Sequence, residues 1–313
     1  MFLVCGEALF DIFVTGQRAD GLTLDARPGG SPYNVALGLA RLGLPVEFLT
    51  GLCDDVLGRR LLAFMQAERI GLTHAVPSRR STAFSLVDLD AAGVPAYAFY
   101  PEAPAYSSVE VGDLPQLGAA VRAIHLGSIA TVLEPFGGAL VELAAREHAR
   151  RLVSYDPNVR LSVVPDPAVW RGRLEALARS AHLLKISAED LELLYPGRSQ
   201  EAAADAWLAA GVRLVVITRG GEGAAAWTRS SHATLPGRRI AVVDTVGAGD
   251  SYQAALLAGL AEADSLAAEK LDALDEAALA GLLAFAAEAA AVTCTRRGAD
   301  LPRRADLGPL AGF

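Results

Sequence analysis

A chain of 313 residues with 52% hydrophobic and 20% charged side chains has ample apolar surface for a large α/β core. Its net charge of -8, with no basic stripe, argues against a nucleic-acid partner, so the ligands are expected to be small. Cys5, Cys53 and Cys294 stand singly, which speaks against a disulfide framework or a zinc site and leaves each as a small buried apolar residue.

The opening Met1-Phe2-Leu3-Val4-Cys5 lacks a basic leader and runs into Glu7 and Asp11, so it predicts a first strand and not a signal peptide. No later run reads as long and apolar enough to span a membrane, and a cytoplasmic location is expected. Short apolar runs at 2–5, 46–50, 123–126, 152–155, 182–186, 214–218 and 224–227 predict strands. Between them, helical patterns fall at 34–42, 57–70, 135–148, 169–179, 189–194 and 201–209. The alternation predicts one α/β domain over 1–313, a mostly parallel sheet flanked by helices on both faces. Residues 12–30 and 80–105 break the rhythm. The second reads as strands 83–88 and 96–100 joined by Asp90-Ala91-Ala92-Gly93, and together the two segments predict a small β flap, a lid or dimer surface.

Two glycine clusters carry chemistry. In Pro28-Gly29-Gly30-Ser31-Pro32-Tyr33-Asn34, the glycines allow close backbone approach, Ser31 or Pro32 opens a helix, and Asn34 offers donor and acceptor on its first turn. That pattern suits a polyol site or an ordinary strand-to-helix turn. In Asp244-Thr245-Val246-Gly247-Ala248-Gly249-Asp250-Ser251-Tyr252, an apolar run, Ile240-Ala241-Val242-Val243, predicts a strand leading into a glycine turn and a helix N-terminus. Free amides of Gly247, Ala248 and Gly249 would face an anion there. Asp250 then either caps the helix or takes a proton from an attacking hydroxyl. Only Lys185 and Lys270 are lysines and neither sits in a phosphate-loop pattern, which excludes a P-loop.

Gly29-Gly30-x-x-x-Asn34 and Asp244-Thr245-x-Gly247-Ala248-Gly249-Asp250 resemble the two signatures of the ribokinase-like (PfkB) carbohydrate kinases. Gly6-Glu7-Ala8-Leu9-Phe10-Asp11, Asp54-Asp55-x-x-Gly58, Asp156-Pro157-Asn158-Val159-Arg160, Lys185 to Asp190 and Thr218 to Gly223 keep the family's order between them. The first and third of these most resemble bacterial fructokinases. The resemblance implies a ribokinase-like fold and ATP-dependent phosphorylation of a primary sugar hydroxyl, with fructose the first choice. It implies Asp250 as base, with Gly247, Ala248 and Gly249 as anion hole. Asp11, Gly29, Gly30 and Asn34 match sugar positions; Thr218, Gly220 and Gly223 match the loop near the ATP phosphates, with Lys185 beside it. The stretch 284–293 would flank the adenine. Where the family orders Mg²⁺ with Asn-x-x-Glu, this chain has Ser187-Ala188-Glu189-Asp190, so the shorter Asp190 stands in the glutamate position and Glu189 points about 100° away on a helix. Asp244 and Val246, with carbonyls near 290–297, resemble a loop for a monovalent cation, K⁺ above Na⁺.

Other residues keep two readings. Tyr100, after the flap strand, reaches the sugar or is loop surface; Arg160 contacts substrate or braces its loop; His125 is a structural histidine rather than a ligand. Ribokinase, ketodeoxygluconate kinase and nucleoside kinase activities compete with fructokinase, and a non-catalytic sugar sensor is the alternative from another class. An NAD-dependent dehydrogenase is disfavoured because no Gly-x-Gly-x-x-Gly follows the first strand. Phe84, Leu86, Leu89, Val94, Tyr97 and Phe99 make the flap apolar on both faces, which predicts a homodimer formed through the lid.

Overall fold

The structure is a computed structural model that describes residues 1–89 and 95–312. The first half runs β1 (Phe2–Cys5), β2 (Leu9–Arg18), β3 (Gly21–Gly29), α1 (Ser31–Arg41), β4 (Val46–Leu49), β5 (Gly51–Cys53) and α2 (Val56–Ala67). Then come β6 (Val76–Ser78), β7 (Phe84–Leu89), β8 (Pro95–Tyr100), β9 (Ala123–Gly127), α3 (Phe136–Glu147) and β10 (Leu152–Asp156). The second half runs α4 (Pro167–Ala178), β11 (Leu183–Ser187), α5 (Ala188–Leu194), α6 (Gln200–Ala210), β12 (Leu214–Thr218), β13 (Gly223–Trp227) and β14 (His232–Pro236). It closes with α7 (Ala248–Glu262), α8 (Ala268–Asp272) and α9 (Glu276–Cys294).

The main sheet has the order β14-β13-β12-β11-β10-β9-β1-β4. From β4 to β12 all pairs are parallel, while β13 and β14 add antiparallel edges. Alternation divides two cores. Phe2, Val4, Leu152, Leu183, Leu214 and Val216 pack with α1, α7 and α9 on one face; Leu3, Val153, Tyr155, Leu184, Ile186 and Ile217 pack with α3, α4 and α6 on the other. The first face also turns His125, Ser154, Asp156 and Lys185 under α7, because these share parity with its apolar residues.

Several expectations need correction. Residues 12–30, expected to join the lid but given no strand bounds, hold most of β2 and β3, which pair antiparallel from Leu9↔Gly29 to Arg18↔Gly21 around a short turn at Ala19-Asp20. With β7 and β8 they form a second sheet, order β3-β2-β7-β8, in which β2 and β7 run parallel. The turn at 90–93 and Val94 lie outside the described residues, as do the side chains of Leu89 and Tyr97. The strand expected at 240–243 does not form: these residues belong to no sheet, and Val242 and Val243 are exposed. Asp275 caps α9 by accepting the Ala278 amide at 2.9 Å. That helix is, after all, long and apolar enough to cross a membrane, with a mean hydropathy of 1.8, but Leu279, Leu282, Leu283, Phe285, Ala286 and Ala289 pack into the first core. Of the cysteines, only Cys5 is buried; Cys53 and Cys294 are half-buried.

Candidate active site

Ligand sites in such sheets form beyond the carboxyl ends of the parallel strands, and the polar residues collect there. Gly30 enters α1 at φ 103, with Pro32 in the first turn; a Cβ on Gly30 would meet the Glu7 carbonyl oxygen at 2.7 Å. A Cβ on Gly29 would stand 2.3 Å from Asp11 Oδ2, so glycine there is what admits the carboxylate. Asp11, in β2, accepts a short hydrogen bond from Ser85, its partner in β7. Burial raises the Asp11 pKa, opposed by the Ser85 bond and the Arg160 charge.

Gly247 adopts a left-handed φ of 78 as N-cap of α7, where a Cβ would crowd Ala299 Cβ at 2.8 Å. The Ala248 amide donates to the Thr245 carbonyl at 3.2 Å, so of the three amides expected to face an anion, Gly247 and Gly249 remain. Asp250, in the first turn, makes no side-chain cap bond. Its oxygens instead accept from Ser31 Oγ at 2.6 Å and Asn34 Nδ2 at 2.8 Å, so the helix-cap alternative fails. Burial raises its pKa, against those two donors and the charges of Lys185 and Arg160.

Beneath the turn, Lys185 Nζ donates to Asp156 Oδ2 at 2.8 Å, both side chains 5% exposed or less. A Cβ on Gly249 would lie 3.4 Å from that ammonium. Burial alone would lower the lysine pKa; Asp156 outweighs it and holds the charge in place. Asp190 is buried while Glu189 is exposed, as the helix geometry requires. Asp190 Oδ2 accepts the Val159 amide at 3.3 Å, and burial together with Asp156 pushes its pKa up to about 6. Arg160 is exposed and donates to the Val159 carbonyl; its charge reaches Asp11, Asp190 and Asp250 alike.

Two expected residues, Tyr100 and Gly223, sit differently. Tyr100 pairs with Phe84 in the lid register and stacks on it at 5.3 Å, whereas Ser85, which bonds Asp11, pairs with Phe99. Strand alternation therefore turns Tyr100 to the face away from Asp11. Gly223 needs to be glycine for the sheet, because at φ 98 a Cβ would strike the Leu235 carbonyl at 2.0 Å. Thr218 ends β12 half-buried and Gly220 is exposed in the following turn, both open to a ligand at the strand ends. Asp244 Oδ1 and Oδ2 accept the amides of Val246 at 3.1 Å and Gly298 at 2.8 Å, while the Val243 amide donates to Cys294, joining this loop to the end of α9.

The sequence reading gave no site role to Ser31, Ser85, Asp156 or Glu7. Asp156 had a signal, since a lysine in the apolar run Leu183-Leu184-Lys185-Ile186 requires a buried counter-charge. Glu7 is fully buried; Oε2 accepts the Ala130 amide at 3.1 Å and burial pushes its pKa up to about 7. Ser85 had none, because it depends on the β2–β7 register. His125 is buried with Nδ1 at 3.3 Å from Ser154 Oγ, and burial holds it neutral with a pKa of about 3; among the described residues no histidine, cysteine or acidic group clusters to hold a metal.

The family model of the pfkB family carbohydrate kinases matches residues 3–306. The chain belongs to that family. It is 37% identical over 279 residues to a fructokinase of Rhizobium leguminosarum bv. trifolii, covering 89% of this chain and 85% of the relative. Among solved structures, fructokinase with bound ATP from Xylella fastidiosa superposes with a TM-score of 0.89 at 25% identity, over 97% of this chain and 96% of that one. A double mutant of fructokinase from Vibrio cholerae, bound to fructose, ADP and a potassium ion, superposes with a TM-score of 0.81 at 25% identity, over 95% and 93%. The ribokinase-like fold expected from the motifs is the fold of these neighbours.

Proposed function

We propose that this chain transfers the γ-phosphoryl group of ATP to a primary hydroxyl of a small sugar, fructose before others. The observation that carries the reading is the convergence, at the strand ends, of a buried carboxylate beside a glycine-rich helix N-terminus, Asp250, with a second carboxylate from the lid sheet, Asp11. Asp11 would accept bonds from two sugar hydroxyls while Asp250 takes the proton of a third. That oxygen then bonds to phosphorus as the bond to the bridging oxygen breaks, ADP keeping the electron pair. Gly247 and Gly249 amides would meet the charge developing on the phosphoryl oxygens, with Lys185 below them. The relatives named fructokinases support fructose over ribose, ketodeoxygluconate or a nucleoside. A coupled assay of ADP release across fructose, ribose, ketodeoxygluconate and adenosine tests it. Fructose is expected to give the highest kcat/KM; another winner overturns the sugar, and turnover of none overturns the kinase.

Mg²⁺ fits the residues present. Asp190 has one oxygen on the Val159 amide and one left for a hydrated ion, and the want of an all-protein acidic cluster among the described residues suits an ion that keeps its waters and binds phosphate. Bound there, it would neutralise charge on the ATP phosphates. The loop held by Asp244 and Gly298 suits a monovalent cation through its carbonyls, Val246 included, because both Asp244 oxygens are already taken by amides. Activity is expected to rise when K⁺ replaces Na⁺ at fixed ionic strength; equal rates in the two salts would remove this site. Free cysteines and a need for ATP suit a cytoplasmic location.

The lid sheet supports a homodimer. By register, Ile12, Val14, Leu24, Phe84, Leu86 and Tyr100 share the face opposite Asp11, and Leu22, Leu24 and Tyr100 are 57%, 50% and 49% exposed. A second copy laid two-fold on this face would bury them at about 25 cal/mol per Å² of apolar surface and hold the lid over the sugar, excluding water. Light scattering is expected to show a dimer. Leu24→Glu should dissociate it and raise the sugar KM roughly tenfold, a change of about 1.4 kcal/mol. A fully active wild-type monomer would show that the lid closes unaided.

A further inference from the structure

The carboxylate proposed as base is held on both oxygens by one turn of one helix. Ser31 opens α1 and Asn34 follows three residues later, so their side chains lie on one face, and each gives a hydrogen bond to a different oxygen of Asp250. Ser31, Asn34 and Asp250 are all buried. A serine hydroxyl has a single proton to donate, and Ser31 directs it to Oδ1. Helix docking does not explain the contact: α1 meets α7 through Gly38, where an added Cβ would lie 2.6 Å from the Cβ of Ala254. Nor does capping, since Gly30 is the N-cap and Ser31 bonds no backbone amide of its own helix.

We propose that Ser31 is a positioning residue for phosphoryl transfer, forming with Asn34 a two-point clamp that orients the Asp250 carboxylate toward the acceptor hydroxyl. The proposal deepens the reading of Asp250 as base and rests on it. A carboxylate offers about four lone-pair sites, so two clamping donors leave room for the incoming hydroxyl. Asn34 Oδ1 is buried without a partner, and is placed to receive a hydroxyl of the same sugar. The clamp also does electrostatic work. Desolvation favours the neutral acid, which cannot accept a proton, and each donor to the charged form opposes that. The other groups facing Asp250 are Lys185 from β11 and Arg160 after β10, both cationic, and Glu7 after β1, an acid whose own pKa burial raises to about 7. Ser31 is thus a neutral donor whose loss changes the carboxylate without changing the charge of the site.

The test is the pH profile of kcat, measured at saturating sugar, ATP and Mg²⁺. Ser31→Ala removes a donor to the charged form, so its acid limb should move to higher pH by about one unit, with the ATP KM unchanged. Ser31→Thr keeps the hydroxyl and should restore the wild-type limb. Ser31→Cys, a weak donor, should fall between them, and it keeps the proposal testable if the alanine variant misfolds. An acid limb in Ser31→Ala that coincides with wild type, or one that Ser31→Thr shifts equally, overturns the clamp. Asp250→Asn measured alongside separates the two failures. If it retains wild-type kcat, the base assignment itself falls; if it is inactive while the serine variants leave the limb in place, only the clamp does.

Discussion

Asp250→Asn is expected to lower kcat by at least roughly 10²-fold, the lower end for a positioned general base, with the KM for ATP within about a factor of three. Asparagine has nearly the shape of aspartate and can still accept from Ser31, so the fold should survive; what it lacks is a lone pair basic enough to take a proton. The wild-type enzyme should also lose activity on the acid side earlier than a solvated aspartate would, because burial raises the Asp250 pKa above its ordinary value of about 3.9. The sign follows from the ionised form being the active one: kcat is retained above the raised pKa and lost as the pH falls through it. Steady-state kinetics of the purified variant decide the matter. A kcat within threefold of wild type would mean that Asp250 only organises the first turn of α1.

The second large effect belongs to the buried pair. Lys185→Met leaves the Asp156 carboxylate almost fully buried with only the Asn158 amide, at 3.2 Å, for company. Breaking a buried pair in this way costs about 3–5 kcal/mol, because one charge stays desolvated without its partner. Denaturant titration should show that loss. Adding Asp156→Leu should recover most of it, since an apolar pair of similar volume avoids the desolvation of both ions. Activity should not return with stability, because the ammonium under Gly249 would still be missing. Unchanged stability in Lys185→Met would show that the pair is not electrostatically coupled to the fold, and wild-type turnover in the folded double variant would remove Lys185 from the phosphate site.

Much of this was written locally. The alternation of apolar runs with helical periods foretold the parallel sheet because a strand buried on both faces must be mostly apolar, as Leu214 to Ile217 are, and a charge such as Lys185 in β11 needs a buried partner. Gly30 and Gly247 were legible for a related reason: a chain that turns into a helix with φ of 103 or 78 has almost no residue but glycine to use. What local sequence could not supply was the identity of neighbours brought together from distant segments. Ser31 and Asp250 are 219 residues apart, Asp11 and Ser85 are 74 apart, and the partner of Lys185 is 29 residues back on the next strand. Whether a carboxylate caps its helix or is clamped by another, and whether Tyr100 or Phe99 faces the Asp11 side of the lid, depends on register and packing. These are set by the closing of two sheets and the docking of α1 on α7, where burial of apolar surface fixes position and the polar contacts follow.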